Sequence, residues 1–85
     1  MTDSITTTEE VAEAAGVHPT TINRWVRAGL LPAPEVFYRG RRGKQSRWDH
    51  VAPTQARWVA RLLQLGLTFD EIRAKLAAGE FRPFR

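Results

Sequence analysis

Thr20, Thr21, Asn23, Arg24 and Arg27 fall within eight residues of each other. Each carries a group that hydrogen-bonds to nucleic acid. Arg can pair with the O6 and N7 edge of guanine and Asn with the N6 and N7 edge of adenine, at about 1–3 kcal/mol of discrimination for each good pair. The same side chains also serve phosphate oxygens, where they position without reading sequence. For Arg24 and Asn23 both roles are open. Of Thr20 and Thr21, one suits a phosphate and the other a local cap. His18 stands before Pro19, where it suits an N-cap or a phosphate contact. A second group follows: Arg39, Arg41, Arg42, Lys44 and Arg47 put five cations in nine residues with no acid among them. Such a cluster neutralises phosphates. It can also reach into a minor groove, where the negative potential favours Arg.

The charge is distributed unevenly. The net charge is +4, yet no Lys or Arg precedes Arg24. From Arg24 to Arg61 there are nine basic residues against Glu35 and Asp49. Asp3, Glu9, Glu10 and Glu13 make the start acidic. A basic stretch confined to one part of a small domain is the electrostatic footprint of nucleic-acid binding.

Other chemistries lack their parts. His50 follows Asp49, but no nucleophile or Gly-rich phosphate loop accompanies them, so no catalytic residue is assigned. There is no Cys, which leaves neither a disulfide framework nor a cysteine zinc site. Two His separated by the basic cluster fall short of the four ligands of a closed zinc site. No enzyme activity, cofactor or metal is expected. The sequence has no apolar run long enough to span a bilayer and no secretory signal at Met1, so the expected setting is cytoplasmic and nucleoid-associated, without a membrane partner.

The elements that must carry these groups can be read from local signals. Thr7 and Glu10 have capping-box spacing, which starts a helix over residues 7–15. Gly16 makes the corner. Pro19 suits the first turn of a second helix over 19–28, which Gly29 ends. Val11, Ala15, Val17, Ile22 and Trp25 lie between the two helices, and Ala12 allows a close crossing. Pro32 and Pro34 break the chain after GLL. Residues 35–48 predict a β-hairpin: Val36, Phe37 and Tyr38 form one strand, Gly40 to Gly43 the turn, and Gln45 to Trp48 the return. Trp48 should pack under it. Asp49 caps a turn before a third helix from Pro53 to Leu65. Ala56, Val59, Leu62, Leu63 and Trp58 are apolar there, with Arg57, Arg61 and Gln64 on the other side. Thr68 and Glu71 form a second capping box for a helix over 69–78, whose stripe is Phe69, Ile72 and Leu76. Phe81 and Phe84 either fold back or offer a sticky tail. The expected class is mainly α: a winged helix-turn-helix with four short helices and a β-hairpin wing. Segment 1–6 is expected to fray, 7–79 to form the domain and 80–85 a tail. With 85 residues such a domain buries only roughly 60–65% of its unfolded surface, so its core is thin.

This order of parts, with the GLLPAP exit and the LGLTFDEI junction, resembles the N-terminal DNA-binding domain of the MerR family across residues 7–79. The resemblance implies promoter binding with the second helix in the major groove. It puts Thr20, Asn23 and Arg24 toward the groove, and Arg27 and the wing cations on the backbone. Asn23 stands where that family often has Arg. Typical members continue into a dimerisation helix and a sensor domain; neither is seen in these 85 residues, so no small-molecule effector is expected. The architecture is similar to single-domain BldC-type regulators and to excisionases, which bind tandem sites without a dimerisation coil. The expected function is therefore sequence-specific binding of double-stranded DNA by a small bacterial regulator. Because one small module offers little interface, copies are expected to bind repeated sites cooperatively, head to tail. RNA polymerase or a recombinase is a possible further partner. Two related readings share the fold: an excisionase-like recombination factor and a phage packaging subunit. A protein-interaction adaptor using Phe81, Phe84 and the acidic first helix is the alternative of another class. An adaptor would tolerate substitution of the wing arginines.

Overall fold

The structure is a computed structural model and describes residues 6–38, 40 and 43–82. Its elements run α1 (Thr8–Ala15), α2 (Pro19–Arg27), β1 (Glu35–Tyr38), β2 (Lys44–Arg47), α3 (Ala52–Gln64) and α4 (Phe69–Ala77). Four helices and a two-stranded antiparallel hairpin make a winged helix-turn-helix. Boundaries differ from the sequence reading by single residues. Thr7 is the N-cap of α1 and not its first residue. The return strand is Lys44–Arg47, because Trp48 leaves the hairpin and bridges to Thr6. That bridge also ties down the last residue of the segment expected to fray.

Each helix starts and stops by local chemistry. Both expected capping boxes form. Thr7 Oγ1 accepts from the Glu10 amide while Glu10 Oε1 accepts from the Thr7 amide, and Thr68 and Glu71 do the same for α4. Asp49 Oδ1 accepts from the Val51 amide and turns the chain into α3. At the C-terminus of α1 the Val17 amide reaches back to Ala12 O and the Gly16 amide to Glu13 O. This is the Schellman pattern, which satisfies carbonyls that have no partner within the helix. The same pair of bonds ends α2, through Leu30 to Trp25 and Gly29 to Val26, and ends α3 and α4 as well.

The core is one cluster shared by every helix. Val11 and Ala12 of α1 are buried with Ile22 and Trp25 of α2, Ala52, Ala56 and Val59 of α3, and Ile72 of α4. Small residues dominate where α1 lies on α3, which lets the two backbones approach closely. Leu30 and Leu31 are buried too, so the GLLP exit is both a helix stop and part of the core. No buried side-chain polar atom among the described residues lacks a hydrogen-bond partner.

Two sets of long-range bonds fix the functional elements on this body. Trp48 is buried at the base of the hairpin, as its sequence position suggested. Its amide donates to Thr6 O at 3.0 Å and its indole Nε1 to Thr8 Oγ1 at 2.8 Å. The wing is thereby hung on the start of α1. At the end of α2, Arg73 Nη1 donates to Ala28 O at 2.6 Å and Gln55 Nε2 to Leu30 O at 3.0 Å. A guanidinium at a helix C-terminus also meets the negative end of the helix dipole. Asp70 pairs with the same Arg73. Gly29 makes room for it: its φ is +82°, and a Cβ there would lie 3.3 Å from Arg73 Cδ.

Two outcomes follow for stability. Thr8→Val keeps the side-chain shape but strands the Trp48 indole N–H, so unfolding free energy should fall by about 1–3 kcal/mol. Thermal unfolding reads that as several degrees, at about 4–8 °C for each kcal/mol in a domain of this size. An unchanged melting temperature would mean that the indole bond contributes nothing. Gly29→Ala and Gly16→Ala both place a side chain in the left-handed region, at about 1–2 kcal/mol each. Gly16 has open space around it, so Gly29→Ala should be the more damaging. Adding Arg73→Ala to both variants should erase the difference.

Candidate nucleic-acid interface

The second helix is sharply two-sided. Ile22 and Trp25 are buried, and Val26 packs against the core. Thr20, Asn23, Arg24 and Arg27 are all exposed. Their spacing of three, four and seven residues places them on one helical face. Thr21 is half-buried at the edge of that face. Four of the six helix residues selected from sequence thus form a continuous polar strip. Its rigidity comes from the other side of the helix and from its two ends.

The leading end is set by His18. Its backbone is extended (φ −74°, ψ 148°), and its Nδ1 accepts from the Thr20 amide at 3.1 Å. Thr20 Oγ1 lies 3.0 Å from the same nitrogen. His18 is therefore the N-cap, and Pro19 fills the first turn without an amide to satisfy. With Nδ1 accepting, the neutral ring carries its proton on Nε2. The side chain is exposed, so this N–H remains available to an anion. The positive end of the helix dipole adds to the attraction. Thr20 is partly committed to this cap, which joins two of the selected residues into one unit.

The hairpin pairs Glu35 with Arg47, Val36 with Ser46, Phe37 with Gln45 and Tyr38 with Lys44. Alternation then puts Glu35, Phe37, Gln45 and Arg47 on one face, and Val36, Tyr38, Lys44 and Ser46 on the other. Arg47 is more constrained than its place in a basic run suggested. Its Nη2 and Nε both donate to Glu35 Oε1, at 2.7 and 3.1 Å, and its guanidinium lies 5.6 Å from the Phe37 ring centroid. Its charge is balanced within the wing. Lys44 is exposed and has no acidic partner within ion-pair distance among the described residues. Arg39, Arg41 and Arg42 lie outside the described residues. Of the described residues between the strands, the Gly43 amide donates to Gly40 O at 3.2 Å.

Sequence reasoning missed the residues that hold this surface in place. Arg73 and Gln55 secure the end of α2, and Glu35 neutralises Arg47. None is announced locally: counting outward from Gly40 and Gly43 would set Arg47 opposite Val36, one residue off the pairing with Glu35 that the strands adopt. Tyr38 was read only as a strand former, yet it is 75% exposed on the face that carries Lys44. His50 Nδ1 lies 3.4 Å from Asp49 Oδ1, with both side chains exposed. Among the described residues no group of three or more His, Cys, Asp or Glu is arranged to hold a metal. No described helix is long and apolar enough to cross a membrane.

Comparison with known proteins agrees with this architecture. The chain matches the MerR helix-turn-helix family of regulatory proteins over residues 6–79. It is 39% identical over 61 residues to the mercuric resistance operon regulatory protein of Serratia marcescens. That alignment covers 72% of this chain and 40% of the relative, so the matched region is about two fifths of the relative's length. A helix-turn-helix with a hairpin wing, matched to one family from Thr6 to Gly79, leaves a single assignment: this chain belongs to the MerR family of helix-turn-helix regulatory proteins.

Proposed function

We propose that this chain is a transcriptional regulator that binds double-stranded DNA in a sequence-specific way, acting by binding and not by catalysis, in the cytoplasm on the nucleoid. The observation that carries the reading is the strip formed by Thr20, Asn23, Arg24 and Arg27 on a helix pinned at both ends. A side chain reads a base only if its backbone is held still, and α2 is held by its cap, its buried face and Arg73. In this reading α2 enters the major groove. Arg24 and Asn23 meet base edges, while Arg27, the His18 Nε2–H and Thr20 or Thr21 meet phosphates.

The wing supplies backbone contacts through Lys44, with Arg39, Arg41 and Arg42 of the same basic run assigned that role from the sequence. Arg47 has a different task in this scheme: it cancels the Glu35 carboxylate that would otherwise repel a phosphate. Copies bind repeated sites head to tail, because one module of this size offers a small interface. The kinship to a mercuric resistance operon regulator supports the regulatory role.

Selection of bound fragments from sheared genomic DNA tests the reading directly. Repeated motifs upstream of genes are the expected result. Enrichment no better than random DNA would overturn it. On a selected site, Arg24→Ala should lose about 1–3 kcal/mol and relax preference at one base pair. A uniform loss across all sequences would move Arg24 to the backbone.

The wing is tested by salt dependence. Log K falls with log salt at about 0.9 for each phosphate neutralised, so Lys44→Ala should flatten the slope by about one unit. Arg47→Ala should weaken binding by exposing Glu35, and the double variant Arg47→Ala with Glu35→Ala should recover it. A double variant as weak as the single one would make Arg47 a phosphate ligand in its own right.

A further inference from the structure

Away from the strip on α2 and the wing, a groove of about 620 Å³ runs between α3 and the segment after α4. Its walls include Arg57, Trp58, Arg61, Glu80, Phe81 and Arg82. Trp58 and Phe81 meet in a tilted pair, with ring centroids 5.3 Å apart and planes at 49°. Phe81 thus folds back onto α3, while Phe84 lies outside the described residues. Glu80 is bound to Lys75 at 3.1 Å, so its charge is balanced. Arg57 and Arg61 are exposed one turn apart, and neither has an acidic partner within ion-pair distance among the described residues. The groove therefore presents unbalanced cations over an aromatic floor. Such a surface fits an anionic partner with methylene stems to lay on the rings.

We propose that the occupant is α1 of a second copy of this chain, with Glu9 and Glu13 of one copy meeting Arg57 and Arg61 of the next. Charge complementarity selects it. The first helix has acids in its first turn and no base in its last. Glu9 and Glu13 are exposed one turn apart, at the same spacing as the two arginines. Like charges four residues apart on a helix repel each other. Each copy thus carries an acidic pair and a basic pair, both unfavourable alone and both relieved by docking.

The geometry makes the contact directional. Val11 and Ala12 face Ala52, Ala56 and Val59 across the α1–α3 packing. Glu9 and Glu13 lie off the buried face of one helix, with Glu9 bordering the wing beside Lys44, and Arg57 and Arg61 lie off the buried face of the other. A contact between two different surfaces of one molecule is heterologous. It does not close on a pair as an isologous contact does, and on a straight duplex it repeats as a row. A row is the arrangement that direct repeats along DNA require. The inference rests on the DNA-binding reading for its purpose, though not for the contact itself.

The test is a charge swap in the full chain. Binding is measured on DNA carrying one selected site and on DNA carrying two in tandem. The wild type should bind the second site more tightly than the first. E9R/E13R and R57E/R61E each set like charges face to face, which should lower that enhancement at least about tenfold. The quadruple variant has the wild-type net charge and opposite charges in the contact, so its enhancement should return. Sedimentation of the protein alone at low salt should show the same pattern without DNA. A folded quadruple variant that stays non-cooperative overturns the inference, as does an E9R/E13R variant that keeps full cooperativity. Should arginine at these positions melt α1, E9Q/E13Q tests the same pair and should also lose cooperativity. A quadruple variant that fails on a single site would place Arg57 and Arg61 on DNA and not on a neighbour. Failure of the wild type on a single site would instead sink the DNA-binding reading and leave sedimentation to judge the contact.

Discussion

The indole N–H of Trp48 donating to Thr8 is the contact on which the relation between wing and helical body depends. A two-stranded hairpin is marginal by itself in water. Four-residue strands with one half-buried aromatic cannot form a core of their own. Trp48 lends the hairpin a share of the common core and then fixes its angle through two hydrogen bonds to the start of α1. The first helix is also the helix that packs on both α2 and α3. Wing, recognition strip and scaffold are therefore referred to one short element of eight residues.

The second helix shows the same economy. Among the described residues its exposed face is braced only by the His18 cap, and the rest of its precision comes from elsewhere. It comes from Ile22 and Trp25 below and Arg73 behind. Arg73 is a positioning residue in the plain sense: its guanidinium touches Ala28 O and Asp70 and lies far along the chain from the strip it steadies. Gly29 is the clearance that permits it. A change in α4 can thus reach the reading surface without touching it.

Much of this was legible in the sequence, for a physical reason that also marks where legibility ends. Capping boxes at Thr7 and Thr68, Pro19 at a helix start, and Gly16 and Gly29 at helix ends are all decided within a few residues. The 3.6 period then set Ile22 and Trp25 inside and Asn23 and Arg24 outside. What the sequence withheld are bonds between distant positions. Trp48 to Thr8 spans 40 residues, Arg73 to Ala28 spans 45, and Gln55 to Leu30 spans 25. No local pattern announces them. Arg47 looked like one more free cation because its partner sits 12 residues away and is brought opposite only by strand register.

The glycine-terminated helices have a consequence for how the chain finds its shape. All four end in hydrogen bonds between residues three and five apart. Where each helix stops is therefore settled within the segment itself. Helices of eight to thirteen residues are too short to persist alone, but each already has its length when it meets a neighbour. The conformational search reduces to docking rods of fixed length. Such a chain should collapse to its helical body on the fast end of the folding timescale. The bond from Trp48 to Thr8 spans 40 residues, so the angle of the wing, unlike the length of a helix, is set only in the assembled body.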